Sequence, residues 1–267
     1  MRLKLDAPVI NRTEPIIIDH TCTDIAQIPQ YLINAAKDMF KISYGHTSHG
    51  SQIVTGMQIL MTGSGLYAFN RDGAGGALSL HDEEPAGDLG NIDRPGWAQL
   101  TRILLTKGGN DRNLIMWSWC GQVSGASADD VNNYLRLMNQ LEAEFPNVTF
   151  IYMTGHLDGT GGIGNLHLRN NQIREFCRTY NKVLFDFADI ERYDPDGNDY
   201  LDKGADDGCN YWSFWGGAKN WAIEWCTAHP AKCSPCSCAH SQCLNCELKG
   251  KAFWWMLARI AGWKPGS

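Results

Sequence analysis

Hydrophobic positions along the chain follow two alternating periods. Residues 24–39 carry apolar side chains at helical spacing, and Lys41–Tyr44 then reads as a strand that stops at Gly45. Ser51–Thr62 fits a helix despite its internal Gly. The Gly-rich stretch Gly63–Pro95 has few apolar runs and predicts a long loop region, and loops of that length in compact domains usually carry function. A helix near Trp97–Thr106 precedes Asn113–Trp119, a nearly continuous apolar run of the kind that forms a strand buried on both faces. Ser127–Phe145 reads as a helix: its acid-rich opening suits a helix N-terminus, and Val131, Tyr134, Leu135, Met138 and Leu141 share one face. Val148–Met153 is again a strand, Asn165–Tyr180 a helix and Lys182–Phe187 a strand. Beyond residue 190 the pattern becomes polar, with Gly and Cys, over 193–243, interrupted by one Trp-rich helical stretch at Trp212–Ala228. A last helix, Asn245–Trp263, closes the chain with a heavy aromatic face.

Strands alternating with helices predict an α/β fold, a parallel sheet covered by helices on both faces, as a single domain over 1–267 with 193–243 as a Cys-containing loop region. Such sheets gather ligands at the carboxyl ends of their strands. Four polar groups are delivered there: 45–50 (GHTSHG), 120–122 (CGQ), 155–158 (GHLD), and Asp186 with Asp189. There is no internal repeat and no low-complexity segment.

Charge and composition narrow the partners. With 23 Lys+Arg against 29 Asp+Glu the net charge is −6, so no broad cationic surface is available for nucleic-acid phosphates. No apolar run approaches the roughly 18–20 residues of a membrane-spanning helix, and the first residues lack the apolar core of a signal peptide. Neither nucleic acid nor a membrane is therefore an expected partner. Seven of the ten Cys (Cys209, Cys226, Cys233, Cys236, Cys238, Cys243 and Cys246) fall in the last quarter. Their spacing lacks two separated CxxC knuckles, so disulfides are favoured over a zinc site. An extracellular or periplasmic location follows, with the chain as a mature or trimmed form.

Ser48 follows a buried strand and precedes a helix, where a hydroxyl can be presented at a sharp turn as a nucleophile; the same placement suits an N-cap turn made by Ser48 or Thr47. The segment ISYGHTSHG, followed by Gly90 in DLGN, Gln122 in WSWCGQ and His240 in AHSQCLN before the terminal helix, resembles the SGNH/GDSL-like hydrolase superfamily. In particular it resembles an atypical branch carrying GHTSHGSQ, WSWCGQ, YMTGH and an AHSQ-LN ending with a WW-containing last helix. The resemblance implies a flavodoxin-like three-layer α/β/α fold and a serine hydrolase whose partner is a small-molecule or polysaccharide ester substrate, such as an acyl group on a carbohydrate. It gives Ser48 the nucleophile role, Gly90 and Gln122 the oxyanion donors, and His240 the base, and it requires no cofactor for catalysis.

Two positions depart from the superfamily. Ser237 stands where an orienting Asp is expected, leaving a Ser48–His240 dyad or a carboxylate such as Asp186 or Asp189. Gln122 replaces the usual Asn. His156, a competitor for the base, becomes a substrate-binding pocket residue together with Asp158 and His49, while His49 and His46 flank the nucleophile as loop-fixing partners rather than metal ligands. The metal assignment is open. Asp194–Asp202 places oxygen ligands like the start of a calcium loop, but Asp199 occupies the sixth position, where Gly is needed, so a solvated acidic turn is preferred over a structural calcium ion. Trp254 and Trp255 read as core, whereas Trp117, Trp119, Trp212, Trp215 and Trp221 are candidates for stacking on sugar rings. The main alternative is a catalytically silent, secreted glycan-binding domain on the same fold; a zinc protein built on the late Cys cluster is a third reading.

Overall fold

The computed structural model describes residues 12–90, 95–214 and 216–266. Seven strands form one sheet: β1 (Ile16–Ile18), β2 (Lys41–Gly45), β3 (Phe69–Asn70), β4 (Leu78–Asp82), β5 (Leu114–Trp117), β6 (Thr149–Met153) and β7 (Val183–Phe185). Their order is β1-β7-β6-β5-β2-β4-β3, and every pairing is parallel. The inner five strands, β4-β2-β5-β6-β7, run in the doubly wound, flavodoxin-like order, in which the chain reverses its direction of progress between β2 and β5.

The helices are α1 (Gln30–Met39), α2 (Ser51–Gly63), α3 (Gly96–Thr106), α4 (Ala128–Glu144), α5 (Asn165–Thr179), α6 (Phe187–Arg192), α7 (Trp221–Ala228) and α8 (Cys243–Ile260). Contacts of α8 with α1, α2 and α6 form one outer layer, and α3, α4 and α5 pack in series as the other. This is the predicted three-layer α/β/α arrangement. Parallel strands covered on both faces must be apolar throughout, and β5, Leu114-Ile115-Met116-Trp117, is buried at all four positions. Helix α4 begins with a capping box: Ser127 Oγ accepts from Asp130 N–H at 3.1 Å, and Asp130 accepts from Ser127 N–H at 2.8 Å.

Three elements differ from expectation. The Gly63–Pro95 stretch contains β3 and β4, short strands at the sheet edge whose Gly-rich flanks hide their apolar pattern. Residues 24–39 split at Pro29, so that α1 starts only at Gln30, because Pro cannot supply the N–H that a continuing helix needs. Within Trp212–Ala228 only Trp221 onward is helical; before it lies an antiparallel hairpin, β8 (Asn210–Ser213) and β9 (Gly217–Asn220).

The contact of α2 with α8 fixes the site's floor. A Cβ built on Gly56 would lie 1.8 Å from the Cys246 carbonyl oxygen, and one on Gly250 would lie 2.3 Å from the Gly56 carbonyl carbon. Only hydrogen fits at either position, so the two backbones touch directly. The late cysteines form three disulfides, Cys226–Cys233, Cys236–Cys243 and Cys238–Cys246, just before and at the start of α8. This excludes a zinc site built on those six thiols.

Candidate active site

The reversal between β2 and β5 opens a crevice at their carboxyl ends, and the loops leaving both strands meet there. Residues 46–50 leave β2, and Ser118–Gln122 leave β5. The Ser118 N–H donates to the Gly45 carbonyl at 3.0 Å, which carries the sheet register one residue past the strands.

Asp88 ties three loops together. Its carboxylate accepts from the Thr47 hydroxyl at 2.8 Å and from Gln122 Nε2 at 3.0 Å, while Gln122 Oε1 accepts from the Cys120 N–H at 2.9 Å. Both ends of the Gln122 amide are therefore engaged, and they hold the 120–122 turn. Gly90 lies against the same side chain: its φ is +95°, and a Cβ there would lie 3.3 Å from Gln122 Cγ. The structure thus brings Gln122 and Gly90 into contact, but Gln122 commits its amide to Asp88 and the Cys120 N–H, and Asp88 is an organiser that sequence reasoning missed.

His49 is the centre of the site. Its Nδ1 lies 3.1 Å from Cys120 Sγ and its Nε2 lies 2.9 Å from Asp207 Oδ2. Ser48, half-buried, has its Oγ 3.8 Å from the same sulfur. The chain Cys120–His49–Asp207 thus has the order nucleophile, imidazole and orienting carboxylate. Burial raises the Asp207 carboxyl, but the His49 hydrogen bond and the nearby His156 outweigh it, so the group stays ionised below the usual carboxylate range.

Two more imidazoles lie parallel to His49, with His156 at 3.8 Å and His240 at 4.4 Å between ring centroids. His240 is exposed and has a φ of +59°, a left-handed conformation that is uncommon for a residue with a Cβ. It is held by its flanks: Gln52 Nε2 donates to the Ala239 carbonyl at 2.7 Å, and Cys238 and Cys243 on either side are disulfide-bonded. His240 thus meets His49 by ring stacking, and no hydrogen bond joins it to Ser48 among the described residues.

His156 is placed from both sides. Gly155 and the Asn170 amide exchange hydrogen bonds at 2.9 and 3.1 Å, and the Leu157 N–H donates to Glu191 at 2.7 Å. Glu191 is fully buried and paired with the equally buried Lys249 at 2.6 Å, whose ammonium also donates to Gln52. Burial pulls Lys249 below its ordinary pKa, partly offset by Glu191. One buried charge network therefore braces both the 156 and the 240 loops.

The other expected residues fall as follows. Asp158 does not pair with His156; it accepts from Thr160 N–H and hydroxyl at 3.1 and 2.5 Å. Trp119 is buried, with Nε1 on the Met153 carbonyl at 3.0 Å and its ring edge-on to Tyr134, so it serves the core. Trp117 and Trp221 are buried as well, Trp212 is exposed, and Trp215 lies outside the described residues. His46 fixes its loop through Thr47 and Asp82. Asp186 chelates Arg174 and caps α6, and Asp189 binds His20, so neither orients the site imidazoles. Asp207 does so instead, and no local pattern in the loop-rich 193–243 stretch singled it out. In the acidic loop, Asp194 accepts from Asp196 N–H, Asn198 N–H and side chain, and Tyr200 hydroxyl, the bonding of a tight turn.

Comparisons with family models, with curated proteins and with solved structures each return no match.

Proposed function

We propose that this chain hydrolyses carboxylic esters through a covalent acyl–enzyme at the β2/β5 crevice. The observation that carries this reading is the Cys120–His49–Asp207 hydrogen-bonded chain. The sulfur attacks the ester carbonyl while His49 takes the thiol proton. The tetrahedral adduct then expels the alcohol, which leaves with that proton and leaves a thioester. Water, deprotonated by His49, attacks the thioester, releasing the carboxylic acid and restoring the thiol. Asp207 orients the ring and stabilises the imidazolium formed in each half.

A serine acyl–enzyme at Ser48 is the second reading. It is favoured by the placement of Ser48 on the strand-to-helix turn and by the resemblance to SGNH-like hydrolases. Labelling separates the two. Turnover of p-nitrophenyl acetate lost in Cys120→Ala, with iodoacetamide alkylation blocking activity, supports the thiol. Activity and fluorophosphonate labelling lost only in Ser48→Ala would move the nucleophile to the hydroxyl. Wild-type protein that neither turns over ester nor reacts with either probe overturns hydrolysis and returns the silent glycan-binding domain. The three disulfides support an oxidising, extracellular or periplasmic setting for this chemistry. No helix among the described residues is long and apolar enough to cross a membrane.

A further inference from the structure

We propose that His49, Asp207 and His240 bind one borderline divalent metal ion of the Zn2+ class, and that this ion silences the site by occupying its base. The binding half stands on donor geometry alone; the silencing half rests on the hydrolytic reading above.

One ligand atom from each of the three residues lies within 4.8 Å of the others. Two imidazoles and a carboxylate are a donor set that suits zinc, copper or nickel, whereas calcium and magnesium prefer oxygen alone. Metal–ligand bonds of about 2.0–2.2 Å put tetrahedral ligands about 3.3–3.6 Å apart. The His49–Asp207 pair, at 2.9 Å, need open only slightly, and His240 completes the set by turning its exposed ring out of the stack about its side-chain bonds, its backbone staying held.

A second observation points to the same place. His156 binds the Leu157 carbonyl through Nδ1 at 2.8 Å, which makes Nδ1 the protonated nitrogen and leaves Nε2 a lone-pair donor. That Nε2 is buried with no hydrogen-bond partner, on a ring stacked 3.8 Å from His49. A buried, unpartnered imidazole nitrogen beside two imidazoles and a carboxylate marks a polar atom left for a water or an ion at this cluster to satisfy. Among the described residues Asp207 forms its ion pair with His49, and the buried Lys249 ammonium, which acts on Asp207 through space, is itself paired with Glu191. The other His/Asp cluster, Asp19–His20–Asp189, lacks this property: Asp189 carries His20 and Arg192, and Asp19 accepts from Thr21.

The ion would sit where His49 Nε2 now shares a proton with Asp207, displacing that proton to solvent. Once Nε2 is metal-bound, the ring and its carboxylate no longer cycle between imidazole and imidazolium, so the hydrolytic base is lost.

The test uses the disulfide-intact protein, stripped with EDTA and dialysed, and titrated with ZnCl2 against a chromophoric chelator. One equivalent of zinc is expected in wild type and in Cys120→Ala. Affinity should fall tenfold or more in His240→Ala and in Asp207→Asn, each checked for its fold by circular dichroism. No binding in wild type, or binding undiminished in both variants, overturns the site. In parallel, p-nitrophenyl acetate turnover should fall to near zero at one equivalent of zinc and return with EDTA. Zinc bound with turnover unchanged overturns the silencing. Zinc bound in a protein with no turnover at all removes the hydrolytic reading and leaves the metal site as the function of this cluster.

Discussion

At the residue scale the site turns on one imidazole that holds a sulfur on one nitrogen and a carboxylate on the other. Replacing Asp207 with Asn preserves volume but removes the charge that fixes the tautomer and balances the imidazolium. Turnover of p-nitrophenyl acetate should then fall by roughly 10³–10⁴ with the fold intact. The lowered pKa of Asp207 also sets a direction for stability. A carboxyl whose folded pKa lies below its unfolded value contributes stability above the unfolded pKa and loses it as pH falls through the folded one. Thermal melts below about pH 4 should therefore show a shallower acid-side decline in Asp207→Asn than in wild type. Ser48, His49, Gln122 and His156 were legible from sequence because each follows directly on an apolar strand. The partnership of His49 with Cys120 and Asp207 was not, since 71 and 158 positions separate those pairs.

At the element scale, α2 and α8 act as one unit beneath the crevice. Their direct backbone contact at Gly56 and Gly250 brings Gln52 against the buried ammonium of Lys249. From there Gln52 reaches the Ala239 carbonyl and Glu191 reaches the Leu157 N–H. Lys249→Met strands the Glu191 charge in the interior and should cost about 3–5 kcal/mol in urea unfolding. Adding Glu191→Gln removes that charge yet keeps an acceptor for Leu157, and the double variant should regain most of the loss. A double variant no more stable than Lys249→Met alone would contradict this account of the network. Sequence periodicity found α8 but gave no reason for a lysine on its apolar face; the partner that accommodates it comes from another helix. Strands β3 and β4 were missed for a related reason, because a two-residue edge strand and its five-residue neighbour, set between Gly-rich turns, lack an apolar run long enough to register.

At the scale of the whole molecule, the parallel sheet presents the site and a stapled segment closes over it. Each disulfide bridges residues only seven or eight positions apart, and loops this short restrict the unfolded chain by about 2–3 kcal/mol apiece. Alkylation of denatured, unreduced protein should label four thiols, Cys22, Cys120, Cys177 and Cys209, and all ten Cys after reduction. Mild reductant should lower the melting temperature and loosen the loop that carries His240; labelling of ten thiols without reduction would contradict the pairing. The sequence by itself determined the α/β alternation, the parallel sheet and the strand ends where chemistry gathers, because those follow from local hydrophobic period and from turns that must come after buried strands. Only the tertiary structure decided which side chains share a proton. Strand order and the return of the 193–243 stretch to the carboxyl ends of the central strands are set by packing between distant segments, and no local pattern encodes that meeting.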